Sequence, residues 1–145
     1  MSGSQGGAPA LEIEGLNAFY GKSQVVFDLA LQVGQGELVT LLGRNGAGKT
    51  STLGVIAGVV SSTARHIRVA GNDIGYLTSF KRARAGVSMV PSGSRAFPNL
   101  TVAENLAMVR GQSGRPGWSI DDVYRFFPKL DELKDSQGGQ LSGGE

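Results

Sequence analysis

Residues 38–50 read Leu38-Val39-Thr40-Leu41-Leu42-Gly43-Arg44-Asn45-Gly46-Ala47-Gly48-Lys49-Thr50. The first five are nearly all apolar, which is the pattern of a central strand covered on both faces. The remaining eight fit the spacing G-x-x-x-x-G-K-[ST]. A nucleotide presents several negative charges in a small volume, and only backbone N–H groups can close around them from every side. Glycines therefore stand where Cβ atoms would collide. The helix expected next begins at the phosphates and offers the positive end of its dipole. In this geometry Lys49 reaches the β and γ phosphates and the Thr50 hydroxyl ligates Mg²⁺. The predicted nucleotide-binding set is Gly43, Asn45, Gly46, Ala47, Gly48, Lys49, Thr50 and Ser51. The plainer alternative is a glycine-rich turn before a helix. The buried strand in front and the helix behind favour the phosphate reading.

Upstream, Leu11, Ile13 and Gly15 alternate with Glu12 and Glu14, which predicts a half-exposed strand. Phe27, Leu29, Leu31 and Val33 alternate with Asp28, Ala30 and Gln32, which predicts a second one, and Gly34-Gln35-Gly36 is a tight connection. Downstream, Leu53, Ile56, Ala57 and Val60 form the apolar side of the helix that opens at the loop. Residues 67–69 and Ile74 flank the turn Gly71-Asn72-Asp73, a hairpin. A short helix is expected over residues 79–84, with Lys81, Arg82 and Arg84 as a solvated face. Residues 87–90 predict a short buried strand ending at Pro91.

Beyond Pro91 the character changes to helix. Thr101 and Glu104 make a capping box, and Val102, Leu106 and Val109 follow at helical spacing. Residues 111–117 predict a loop. Ser119 caps a further helix, with Asp121 and Asp122 favourable in its first turn, and Val123, Phe126, Phe127 and Leu130 form its apolar side until Pro128 interrupts it.

The bulk properties narrow the function classes. The chain has 145 residues, 40% apolar and 18% charged, and can bury a real core. A net charge of +2 is too weak to argue for nucleic acid, so no nucleic-acid partner is expected. Absence of cysteine excludes disulfides and thiolate metal sites. Residues 1–10, small and polar, predict a flexible tail. No apolar run is long enough to span a bilayer, so no direct membrane insertion is expected and membrane contact would come through a partner. His66, the single histidine, is read as a surface residue.

The last five residues, Leu141-Ser142-Gly143-Gly144-Glu145, resemble the signature of ABC proteins. Placed downstream of a phosphate loop and a helical segment, they identify the chain as resembling an ABC transporter ATP-binding subunit. Further strings stand in family order: Ala18-Phe19-Tyr20-Gly21, Phe97-Pro98-Asn99-Leu100, and Val123-Tyr124-Arg125-Phe126-Phe127-Pro128-Lys129-Leu130. The last two are similar to those of branched-chain amino acid importers, and urea-importer subunits look much the same. The resemblance covers residues 11–145. It implies an α/β fold: a P-loop NTPase core with N-terminal antiparallel strands over residues 11–98 and an α-helical subdomain over residues 99–145, incomplete at the C-terminus.

The resemblance also implies roles. Tyr20 stacks on adenine. Ser142 with the N–H groups of Gly143 and Gly144 contacts the γ-phosphate held by a second nucleotide-binding subunit. Membrane permease subunits complete the assembly on the cytoplasmic face of the inner membrane, and ATP hydrolysis drives import of branched-chain or related amino acids. Two departures stand out. Ser92 occupies the place where the family has Gln or Glu reaching toward Mg²⁺ and the attacking water, and serine is too short for that contact. The family's acidic pair for Mg²⁺ and water, and its switch histidine, lie beyond the signature. No residue of the 145 is therefore assigned as general base, and the chain alone is expected to be inactive in hydrolysis. A soluble ABC ATPase outside a transporter and a non-catalytic nucleotide-binding fragment remain as alternatives.

Overall fold

The computed structural model describes residues 7–93, 96–108 and 118–142. The expected loop over residues 111–117, most of the expected tail, Val109, and Gly143, Gly144 and Glu145 of the signature lie outside the described residues. The chain divides into two compact units, Met1–Met89 and Val90–Glu145.

In the first unit, β1 (Leu11–Tyr20) and β2 (Ser23–Val33) form an antiparallel hairpin running from Leu11 opposite Val33 to Tyr20 opposite Ser23. On its other edge β1 takes β3 (Ser61–Thr63) and β4 (His66–Val69), both antiparallel, and β5 (Asn72–Asp73) pairs with β4. Helix α1 (Lys49–Ile56) rests against β1 and β2, and α2 (Ser79–Arg84) follows the β4–β5 hairpin. The core is Ile13, Leu16, Ala18, Val26, Val55, Ile67 and Ile74.

The first strand is longer than its alternation predicts, because bulges reset its phase. Ile13 and Leu16 both point inward, and Gly15 between them has φ +65°. On β2 the matching irregularity is Asp28 at φ +43°. Val26 is buried before it and Leu29, Leu31 and Val33 are half-buried after it, while Phe27 is turned out at 70% exposure. The expected inward place of Phe27 is thus corrected: an extra residue in one strand flips every side chain beyond it. Asn17 ties the two bulges together. Its amide donates to the Gly15 carbonyl at 3.1 Å, and its Oδ1 accepts from the Asp28 N–H at 3.0 Å and the Gln24 amide at 2.8 Å.

The β4–β5 turn is also displaced from its expected place. Val69 pairs with Asn72, so the turn residues are Ala70 and Gly71, at φ +47° and +81°. Two positive φ values define the type I′ turn that suits the strand twist, and alanine is an unusual occupant of its first place. Ala70→Asn is therefore expected to stabilise the unit by about 0.5–1 kcal/mol, read as a raised urea midpoint at unchanged slope. A lowered midpoint would refute the strain argument.

The strands expected over residues 38–42 and 87–90 are not formed. Leu38, Leu42 and Val90 are 92%, 87% and 94% exposed. Apolar character makes a segment suitable for a covered strand, but a ladder exists only when a neighbour supplies its N–H and C=O partners. Among the described residues no segment pairs with either run. Val87 still packs against the core. The apolar face expected on α1 is corrected in part: Ile56 and Val60 pack against the core as expected, but Leu53 is half-exposed, and the side turned inward also carries Ser51, Thr52, Gly54 and Val55.

In the second unit, α3 (Val102–Ala107) begins at the expected box, with the Thr101 hydroxyl accepting from the Glu104 N–H and Glu104 accepting from the Thr101 N–H. Helix α4 (Ile120–Phe126) begins at a second box between Ser119 and Asp122. Hydrogen bonds from the Ser119 hydroxyl and backbone N–H hold the Asp122 carboxyl below its ordinary range, so this cap is present near neutrality and lost as the solution is made strongly acidic. Phe127 breaks the helix, and α5 (Pro128–Glu132) starts at Pro128, where a missing N–H costs nothing. Phe126 and Phe127 are exposed, against expectation, and the Phe126 ring lies 4.4 Å from that of Trp118. The Asn105 amide group bonds Phe97, Leu100 and Thr101, which fixes the entry to α3. Gly138 and Gly139 donate to the Leu100 and Pro98 carbonyls, so the segment leading to Leu141 and Ser142 is laid against the same entry.

Candidate functional site

The loop over residues 43–50 has the form the phosphate reading requires. Gly46 and Gly48 stand at φ +86° and +84°. A Cβ on Gly48 would meet the Val25 carbonyl oxygen and Val26 Cγ2 at 3.0 Å each, so the loop's end is seated directly on β2. Open space surrounds Gly46, so conformation alone calls for glycine there. The Ala47 N–H donates to the Arg44 carbonyl at 3.1 Å and closes the turn.

Helix α1 starts immediately after it. Its N-cap is Gly48, which has no side chain to cap the first N–H groups, and no acidic residue stands in the first turn. The Thr52 N–H returns to the Gly48 carbonyl at 2.8 Å, leaving the N–H groups before it without helical acceptors. A helix start left this way is an anion seat. The Lys49 ammonium lies across the loop, donating to the Gly43 and Arg44 carbonyls at 2.7 and 2.8 Å. Thr50 is exposed, whereas Ser51 and Thr52 are buried and the Thr52 hydroxyl donates to the Gly48 carbonyl at 3.0 Å. The first turn thus presents the Thr50 hydroxyl outward and keeps the Thr52 hydroxyl for the helix itself.

Tyr20 closes β1 at the tip of the same hairpin that seats the loop, and it is 54% exposed. Ser92 is exposed. Ser142, in the second unit like Ser92, is exposed too. Among the described residues no group of three or more His, Asp or Glu side chains could hold a metal ion.

Two residues behave otherwise than expected. His66 is not a surface residue: its side chain is 13% exposed and lies between Glu12 and Glu14, at 3.6 and 3.8 Å. Arg82 does not belong to a solvated face. It is 4% exposed, and its guanidinium donates to four backbone carbonyls. Burial lowers its pKa from the ordinary value, and nearby Asp73 opposes that shift. Nothing in the run Lys81-Arg82-Ala83-Arg84 marks Arg82 from its neighbours, so only the fold singles it out.

A family model described as "ABC transporter" matches residues 26–145. The chain belongs to the ABC transporter family. Among curated ABC relatives, the high-affinity branched-chain amino acid transport ATP-binding protein BraG of Pseudomonas aeruginosa is 36% identical over 137 residues, 93% of this chain and 59% of that protein. The lipopolysaccharide export system ATP-binding protein LptB of Escherichia coli is 34% identical over 144 residues, 93% of this chain and 58% of that protein. The chain spans less than two thirds of either. The structure of an ATP binding subunit of an ABC transporter superposes with a TM-score of 0.75 at 25% identity, covering 93% of this chain and 57% of that one. The crystal structure of a nucleotide-free ATP-binding cassette superposes at 0.72. The fold is accordingly the P-loop NTPase core of ABC cassettes, with an antiparallel sheet and helices.

Proposed function

We propose that this chain binds the phosphates of ATP at residues 43–51, as part of an ATP-binding subunit whose hydrolysis powers import of branched-chain or related amino acids. The observation that carries ATP binding is the uncapped, acid-free start of α1 behind a loop with left-handed glycines, with the Lys49 ammonium lying over it. Gly43, Asn45, Gly46, Ala47 and Gly48 surround the phosphates with backbone, Lys49 supplies the charge, and Ser51 belongs to the first turn. Mg²⁺ binds the ATP phosphates and the Thr50 hydroxyl; an ion held mainly by substrate phosphates needs no cage of carboxylates. Ser92 takes the place where the family has Gln or Glu reaching toward Mg²⁺ and the attacking water, and its side chain is the shorter one. Ser142, Gly143 and Gly144 cover the nucleotide of a second such subunit, and permease subunits hold the pair at the cytoplasmic face of the membrane.

The import reading is supported by the likeness to BraG, and export by that to LptB; the strings around Phe97 and Val123 favour import. Uptake of labelled leucine and of labelled urea by cells with and without the gene separates the import substrates. Loss of neither, with a defect in lipopolysaccharide export instead, would overturn the import reading.

Tyr20 gives the test for adenine. Tyr20 is exposed at the end of β1, as a stacking platform must be. Tyr20→Ala is expected to weaken ATP binding by about 1–3 kcal/mol, the usual worth of a base–aromatic stack, while Tyr20→Phe is nearly neutral. Equal losses in calorimetric titrations of the two variants would mean that the hydroxyl, not the ring, makes the contact.

A further inference from the structure

Helix α1 is held unusually for an element that must keep its first turn fixed. Of its buried residues only Val55 is a large apolar side chain; the others are Ser51, Thr52 and Gly54, and Leu53 is turned out. The helix has no basic residue of its own in its last turn. That end is held by Ile56, which packs against the core, and by Arg82. One guanidinium nitrogen, Nη1, donates to the Val55 carbonyl at 2.6 Å and to that of Ile56 at 3.3 Å, the last two residues of α1. Nη2 donates to the Gly75 carbonyl at 2.7 Å and Nε to that of Leu77 at 2.9 Å. A single planar fork thus joins the end of α1 to the segment leaving the β4–β5 hairpin. Gly58, at φ +76°, brings its backbone so close that an added Cβ would stand 3.0 Å from Arg82 Cδ.

We propose that Arg82 is a positioning residue for the phosphate loop, acting through α1 from the end opposite to the nucleotide. This rests on the ATP-binding reading above. An eight-residue helix is about 12 Å long and stiff, so a tilt at Val55 and Ile56 is carried to Gly48 and Lys49. The cation also faces the negative end of the helix dipole, which leaves the opposite, positive end for phosphate. Lysine cannot replace it, because one ammonium cannot reach four carbonyls on two segments at once.

The test is ATP titration of the parent chain, Arg82→Lys, Lys49→Ala, and Ile67→Ala as a core substitution that removes bulk from β4 without deleting any hydrogen-bonding group of the fork. Far-UV circular dichroism selects a temperature at which all are folded, and amide exchange is read at Thr50 and Ser51. Arg82→Lys is expected to weaken ATP binding about tenfold and to speed exchange at those two amides, while Ile67→Ala stays within about twofold of the parent. Affinity of Arg82→Lys within twofold of the parent, or an equal loss in Ile67→Ala, would overturn the role of Arg82. A parent chain whose ATP binding does not depend on Lys49 would overturn the ATP reading itself, which is a separate outcome.

Discussion

Lys49→Ala is expected to lower ATP affinity by about 1.5–3 kcal/mol, roughly ten- to 150-fold, with little change in thermal stability. The Lys49 ammonium is bonded to the Gly43 and Arg44 carbonyls, both neutral acceptors at an exposed loop. Phosphate oxygens are charged acceptors, and charge-assisted hydrogen bonds are about twice as strong as neutral ones. The ammonium therefore gains by turning from the carbonyls to the nucleotide, and that gain is what alanine removes. Loss of the two carbonyl bonds costs the apo protein little, because water reaches those oxygens. Binding of ATP to the parent should also weaken with added salt, since the contact is between exposed charges. Isothermal titration at two salt concentrations measures both effects. Unchanged affinity in Lys49→Ala would remove Lys49 from the phosphate site.

What the sequence made legible was chemistry tied to neighbours in the chain. The loop at residues 43–50, the boxes at Thr101 and Ser119 and the break at Pro128 all depend on residues within a few positions of one another. What stayed hidden depends on distant partners. Residues 38–42 have the composition of a covered strand but find no ladder among the described residues. Arg82 is marked only by the carbonyls of Val55, Ile56, Gly75 and Leu77, which the fold brings to it. His66 is enclosed by the pairing of β4 with β1, which sets it opposite Glu14. The phase of β1 and β2 was hidden for a related reason. Gly15 looks like one more residue in an alternating run, and only the pairing with β2, where the step from Ile13 to Leu16 faces the shorter step from Leu31 to Leu29, makes it a bulge.

The same bulge sets the largest expected loss of stability. Leu16 is fully buried, and it faces inward only because Gly15 resets the strand's phase. It belongs to the core with Ile13, Ala18, Val26, Val55, Ile67 and Ile74, a small set drawn from the sheet and α1. Leu16→Ala removes three heavy atoms where close packing leaves little room to collapse, and such changes cost about 2–5 kcal/mol. Small domains have only about 5–15 kcal/mol in all, so the first unit should lose a large share of its stability. The second unit has its own buried residue, Val102, and its own caps, and should keep its helical signal. Urea unfolding of the parent and Leu16→Ala, followed by Trp118 fluorescence for the second unit and by far-UV signal for the whole, measures this. A midpoint shift equivalent to less than about 1 kcal/mol would mean that the core around Leu16 repacks, and that the bulge at Gly15 does not fix its place.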